Sequence, residues 1–116
     1  MSDCVFCEIV AGTSPAKVAF QTDDVIVFHP LGPQVPGHLL FVPKDHVADA
    51  TTSPDVTARV MREASAYAKR LNRPVNIITS AGAEATQTVF HLHIHVLPRG
   101  KDDGVRASWP WTRAAH

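Results

Sequence analysis

The sequence has no charge excess of either sign: 11 Lys and Arg residues balance 11 Asp and Glu. A chain that grips nucleic acid along its phosphates carries a basic surplus, and a solvating acidic tail carries the opposite. Neither partner class is expected here, so any anion must be met by a local site. Apolar runs are short as well. None approaches the ~20 residues a membrane-spanning helix needs, and no membrane partner is expected. The first residues, MSDCVFCEIV, hold no basic cluster before their apolar stretch and no cleavage pattern. They read as the native start of a cytoplasmic protein.

Cysteine is scarce. Cys4 and Cys7 are the only two, which excludes a disulfide framework. Their C-x-x-C spacing, in a reducing compartment, points to metal or redox chemistry. Alone the pair is half a zinc site. Repeats and low-complexity tracts are also missing, and 116 residues suit one domain, 1–116, with one core.

What is present alternates between strand-like and helical runs. CVFCEIV suits one or two helical turns presenting Val5, Phe6, Ile9 and Val10 to the rest of the chain, ended by Gly12. KVAFQT (17–22) and VIVFH (25–29) read as strands joined over Asp23-Asp24. PLGPQVPG (30–37) is a stiff loop, and HLLFVP (38–43) is apolar enough for a central strand. Residues 54–72 form the one long helix: Ser53 suits the N-cap, Pro54 the first position and Asp55 the positive helix start. Val56, Val60, Met61, Ala64, Tyr67, Ala68 and Leu71 recur at helical spacing and form its apolar stripe. VNIIT (75–79) and VFHLHIHVLP (89–98) complete five strands around the small-residue loop SAGAEATQT (80–88). The order predicts an α+β fold: a mainly antiparallel five-stranded sheet, one long helix and a short N-terminal helix.

The last strand carries His91, His93 and His95 on alternate positions, with Leu92, Ile94 and Val96 between them. Side chains alternate faces along a strand, so the imidazoles share one face and the aliphatic residues the other. A merely solvated face would mix Thr, Lys, Glu and Ser. Imidazole offers a nucleophile, a proton donor near neutral pH and a metal ligand. A pure metal face is one reading. The other is phosphate or acyl chemistry, favoured by Thr86, Gln87 and Thr88, whose donors sit just before the first histidine and suit a developing negative charge.

HLHIHVLP, with PGHLLFVPKDH and CVFCEIVAGTSPAKVAFQTDDVIVFH in the same order, resembles the histidine triad (HIT) superfamily of nucleotide hydrolases and transferases over nearly the whole chain. The resemblance implies a HIT-like fold that binds a purine nucleotide with its α-phosphate over the triad. It implies cleavage of a nucleoside phosphoramidate, acyl-nucleotide or dinucleotide through a nucleotidyl-histidine intermediate, with no organic cofactor. The competing function is a nucleotide-binding or interaction module with little catalysis. Carried over, His93 is the nucleophile, His95 contacts phosphate or leaving group, and His38 supports the triad with His91. Gln87 and Thr88 flank the phosphate, with Ser80 where many members carry Asn. Phe6, Ile9, Phe28, His29 and Leu31 line the base and ribose. Pro30 stands where many members carry an Asp that holds the ribose hydroxyls. Similar bacterial members bind a structural zinc, which here implicates Cys4, Cys7, His46 and His91. The family is commonly a homodimer. Trp109 and Trp111 are expected at the site, the interface or the domain edge.

Overall fold

The computed structural model describes residues 4–105, so Trp109 and Trp111 lie outside the described residues. Helix α1 (Val5–Ala11) leads into strands β1 (Val18–Gln21), β2 (Val25–Phe28) and β3 (Leu39–Pro43). Helix α2 (Pro54–Leu71), β4 (Val75–Ile78) and β5 (Ile94–Pro98) follow, with a single 3-10 turn at Ala83–Ala85 inside the 80–88 loop. The five strands form one sheet in the order β1-β2-β3-β5-β4, every neighbouring pair antiparallel. The central place expected for 38–43 is that of β3, whose five residues are all buried. No helix of the described residues is long and apolar enough to cross a membrane.

Local chemistry sets the element ends. Thr22 N–H donates to the Val25 carbonyl at 2.8 Å, closing the hairpin over Asp23-Asp24. Ser53 Oγ accepts from Val56 N–H at 3.3 Å, capping α2 as expected, and Asn72 ends it in the left-handed region at φ 50°. Val35 O accepts from His38 N at 3.2 Å around Pro36-Gly37, with Gly37 at φ 86°. That is a type II turn: proline pre-sets its first corner and only glycine takes the second without strain.

The sheet has two working faces. On one, α2 lays Val56, Val60 and Ala64 over Val25, Val27, Leu39, Phe41, Leu92, Ile94 and Val96. Each such aliphatic side chain removed from water contributes about 1.5–3 kcal/mol. Met61, expected in this stripe, is 36% exposed. The core line follows the i, i+4, i+8 set of Val56, Val60 and Ala64, and Met61 lies 100° off it. On the other face, Phe6 of α1 packs with Ile26, Phe28, Leu40 and Val42. This second face carries the histidines.

The fifth strand begins at Ile94, not at 89 as the sequence pattern predicts. Its ladder with β3 runs only from Leu39↔Val96 to Phe41↔Ile94, and two residues beyond Phe41 stands Pro43, which has no N–H to offer a ladder. Leu92 N–H instead reaches the Val47 carbonyl at 2.8 Å, and Thr79 Oγ1 donates to the His93 carbonyl at 2.8 Å. The approach to β5 therefore stays extended enough to keep the alternation: Leu92, Ile94 and Val96 enter the α2 core.

Candidate functional site

His38 and His95 form the end of a fixed chain of hydrogen bonds. The type II turn delivers His38, and Gln34 N–H donates to its Nδ1 at 3.0 Å. With Nδ1 accepting, the His38 proton is on Nε2, which faces His95 Nδ1 at 2.9 Å. His95 Nδ1 must then accept, which puts its own proton on Nε2. Burial holds both rings neutral: His38 is lowered to about 4 and His95 to about 3, with repulsion from the neighbouring imidazoles adding to the effect. His95 is thus a neutral ring that carries its proton on Nε2.

His93 is arranged in the opposite sense. Its Nδ1–H donates to the His91 carbonyl at 2.8 Å, leaving the lone pair on Nε2. Burial lowers its proton affinity, and the hydrogen bond to His91 partly offsets this. The His93 and His95 ring centroids are 5.0 Å apart. A ring with its lone pair on Nε2 and a ring with its proton on Nε2 therefore sit side by side. The Phe6 ring meets His93 edge-on at 5.1 Å and Phe28 at 5.3 Å, forming a wall between them.

His91 is separated from this pair by its partners. Its Nε2–H donates to the Pro43 carbonyl at 2.8 Å, so Nδ1 faces Cys4 Sγ at 3.3 Å, Cys7 Sγ at 3.4 Å and His46 Nδ1 at 3.1 Å. His46 Nδ1 is also 3.1 Å from Cys7 Sγ, and all four donor atoms lie within 4.8 Å of one another. Tetrahedral zinc with thiolate and imidazole ligands has donor–donor edges of about 3.3–3.8 Å. Two thiols and two imidazole nitrogens at these separations fit such an ion. Burial lowers His91, as a neutral ligand requires, and the Pro43 carbonyl orients its ring from outside the set. Four protein donors leave no open position, so the ion would be structural. The residues expected from the sequence, Cys4, Cys7, His46 and His91, are the ones the fold brings together.

A cleft of about 930 Å³ opens beside His93 and His95. Phe6, Ile9, Phe28, His29, Leu31 and Thr88 all line it, as expected, with Leu31 wholly exposed at the rim. Pro30 lines it too and presents no acceptor side chain. Among the described residues no carboxylate lines it. Gln87 and Ser80 do not line it. Gln87 is buried, with Nε2 donating to the Ala48 carbonyl at 2.7 Å and the Val89 carbonyl at 3.0 Å, and Oε1 accepting from Gly82 N–H at 2.8 Å. Both amide protons are spent on the backbone, so its placement is that of a brace for the 80–88 loop rather than the phosphate contact expected. Thr86 holds a left-handed φ of 76° at the cleft edge, a strained setting for a β-branched residue.

Four contributors have no sequence signal: Gln34 and Pro43 act through backbone groups, Thr79 through its hydroxyl on the His93 carbonyl, and Lys17 by lining the cleft. Only the folded chain brings them there.

The fold has counterparts among known proteins. A family model described as HIT domain matches residues 11–102. The chain is 36% identical over 112 residues to a HIT-like protein of Borreliella burgdorferi, covering 90% of this chain and 81% of that one. Its fold is similar to a HIT family hydrolase from Clostridium thermocellum, with a TM-score of 0.77, 30% identity and coverage of 93% and 99%. It is also similar to a zinc-bound histidine triad family protein from Mycobacterium smegmatis, with a TM-score of 0.75, 34% identity and coverage of 87% and 78%.

Proposed function

The chain belongs to the HIT domain family, and from that premise we propose that it is a nucleotide hydrolase or nucleotidyl transferase. It acts at the α-phosphate of a nucleoside phosphoramidate, acyl-nucleotide or dinucleotide. The observation that carries this reading is the hydrogen bond from His93 Nδ1 to the His91 carbonyl, because it exposes a neutral Nε2 as nucleophile.

The chemistry follows from the two tautomers. His93 Nε2 forms a bond to phosphorus as the bond from phosphorus to the leaving group breaks, and the leaving group takes that electron pair. The nucleotidylated ring becomes cationic, and the His91 carbonyl faces the Nδ1–H where this charge gathers. His95 Nε2–H donates to a phosphate oxygen or to the departing atom. Water then attacks phosphorus and releases a proton to solvent, while the bond from phosphorus to Nε2 breaks and His93 regains its lone pair, neutral again. The apolar wall of Phe6, Ile9 and Phe28 suits a purine, and Thr88, which lines the same cleft, would flank the phosphate. Zinc held by Cys4, Cys7, His46 and His91 supplies only rigidity, since the set is closed. Strands β1 and β4 are the sheet edges among the described residues, and a homodimer would join along one of them.

The test is His93→Ala with an adenosine phosphoramidate. Turnover should fall roughly 10⁴-fold or more, as for removal of a nucleophile. A variant with full turnover overturns the mechanism. A second reading, nucleotide binding with little catalysis, is favoured by one feature: Pro30 lines the cleft without an acceptor for a sugar hydroxyl. Calorimetry with AMP and GMP on His93→Ala, beside turnover by the unaltered chain, separates the two.

A further inference from the structure

The metal-ligating set and the nucleophile are mechanically joined twice. The first route is helix α1. Cys4 is its N-cap, with Sγ accepting from Cys7 N–H at 3.3 Å, and Cys7 lies within its seven residues. A helix this short has little stability of its own, so its place is set by what anchors it. Both thiols face His46 and His91, and Phe6 lies between them in sequence. The Phe6 ring reaches His93 at 5.1 Å, Phe28 at 5.3 Å and His91 at 6.0 Å. Fixing the thiols therefore fixes the wall of the cleft.

The second route is His91 itself. Its ring is held at both nitrogens, Nδ1 in the ligand set and Nε2 on the Pro43 carbonyl. Its backbone carbonyl accepts from His93 Nδ1 at 2.8 Å. Ring and carbonyl belong to one residue, so a ring held at both nitrogens restrains the backbone that presents this carbonyl to His93.

We propose that the Cys4, Cys7, His46 and His91 set positions His93: with metal held there, His93 keeps a single Nδ1–H tautomer and Phe6 stays seated against the cleft. The role rests on His93 being the nucleophile, as read above. A cluster that only staples the N-terminus would lower the melting temperature when emptied, yet leave His93 unchanged in the molecules still folded.

The experiment compares the zinc-loaded chain with the chelated chain well below both melting temperatures. Ring nitrogen-15 NMR reads the His93 tautomer, calorimetry reads AMP affinity, and an adenosine phosphoramidate gives kcat and KM. Zinc removal should convert His93 to a mixture of tautomers and lower kcat about 10–100-fold, the range seen when groups supporting a site are lost. Zinc added back should restore both. Phe6→Leu, with zinc retained, should keep the tautomer but weaken AMP binding about tenfold. Val60→Ala, in the core of the opposite face, should lower the melting temperature with tautomer and kcat unmoved.

If chelation unfolds the chain, His46→Gln, at the exposed corner of the set, is titrated with zinc instead. The His93 tautomer must then track zinc occupancy. A purified chain that takes up no zinc, or a tautomer indifferent to occupancy, overturns the proposal. A tautomer that tracks zinc in a chain that neither binds AMP nor turns over phosphoramidate upholds the positioning and overturns the enzymatic reading.

Discussion

His38 donates from Nε2 to His95 Nδ1 across 2.9 Å, and Gln34 N–H, on His38 Nδ1 at 3.0 Å, leaves it no other tautomer in which to do so. One backbone amide thus decides which nitrogen of His95 carries a proton, two residues away in the hydrogen-bond chain. A rigid donor aimed at a developing charge needs no rearrangement during reaction.

Replacing His38 should therefore damage activity without removing any group that touches phosphate. His38→Gln keeps a donor but not the ring geometry, so His95 is free to take either tautomer. Turnover of an adenosine phosphoramidate should fall about 10–100-fold, as for loss of other orienting partners. An unchanged kcat would show that the order imposed by Gln34 does not matter to the reaction.

The same pair governs acid stability. His38 is lowered to about 4 and His95 to about 3, against 6.5 for the ordinary ring. Between those values the unfolded chain binds more protons than the folded one, so stability rises with pH. The contribution is complete above about pH 6.5 and is lost as pH falls toward the folded values. His38→Gln removes one of the two sites. Its plot of unfolding free energy against pH should be shallower by up to about one proton, or ~1.4 kcal/mol per pH unit at the limit. Denaturant titrations across this range give the slopes, and parallel curves would contradict the assignment. Release of metal in acid affects both proteins and cancels in the comparison.

Cys4 has two jobs that substitution can separate. It caps α1 through Sγ and stands among the metal donors. Serine caps a helix as well as cysteine but offers no thiolate. Without metal, Cys4→Ser should melt with the unaltered chain, while Cys4→Ala should be about 1 kcal/mol less stable. With excess zinc only the unaltered chain should rise, by about 4 kcal/mol when zinc is 1,000-fold above its dissociation constant. Thermal melts with and without a chelator check both halves.

Much of this site was legible from residue order, and the parts that were not share a cause. Cys4 and Cys7 are marked by their own spacing, which signals half a metal site, while His46 and His91 enter through the family resemblance, and the fold brings all four together. Phe6, Phe28 and Ile9 were legible through the same resemblance, since apolar residues by themselves read equally well as core. The start of β5 was not. HLHIHV alternates as a strand should, and the ladder fails at Pro43, 48 residues earlier. Gln87 reads as a donor for phosphate in sequence, and only the fold shows three backbone groups consuming its amide. Met61 obeys helical spacing yet falls at the edge of the buried stripe. Position in the fold, and not residue type, decided each of these: strand pairing for β5, backbone partners for Gln87 and helix geometry for Met61.

Gly37 is where the chain's ability to present His38 is most exposed to a single methyl group. It sits at φ 86° between Pro36 and His38, in the turn closed by His38 N–H on the Val35 carbonyl. A side chain at this φ costs roughly 1–2 kcal/mol. A Cβ would also stand 3.1 Å from Pro98 Cγ at the end of β5, too close without movement. The two strains have different remedies. Relaxing φ rotates the turn and withdraws His38 from His95, whereas yielding at Pro98 shifts the end of the strand that holds His95. Either way the 2.9 Å contact between the rings lengthens. Gly37→Ala should thus lose about 1–2 kcal/mol in denaturant melts, and its kcat should fall toward that of His38→Gln. The double variant should be little slower than His38→Gln alone, because both changes break the same contact. Additive losses in kcat would mean that Gly37 serves the site by another path.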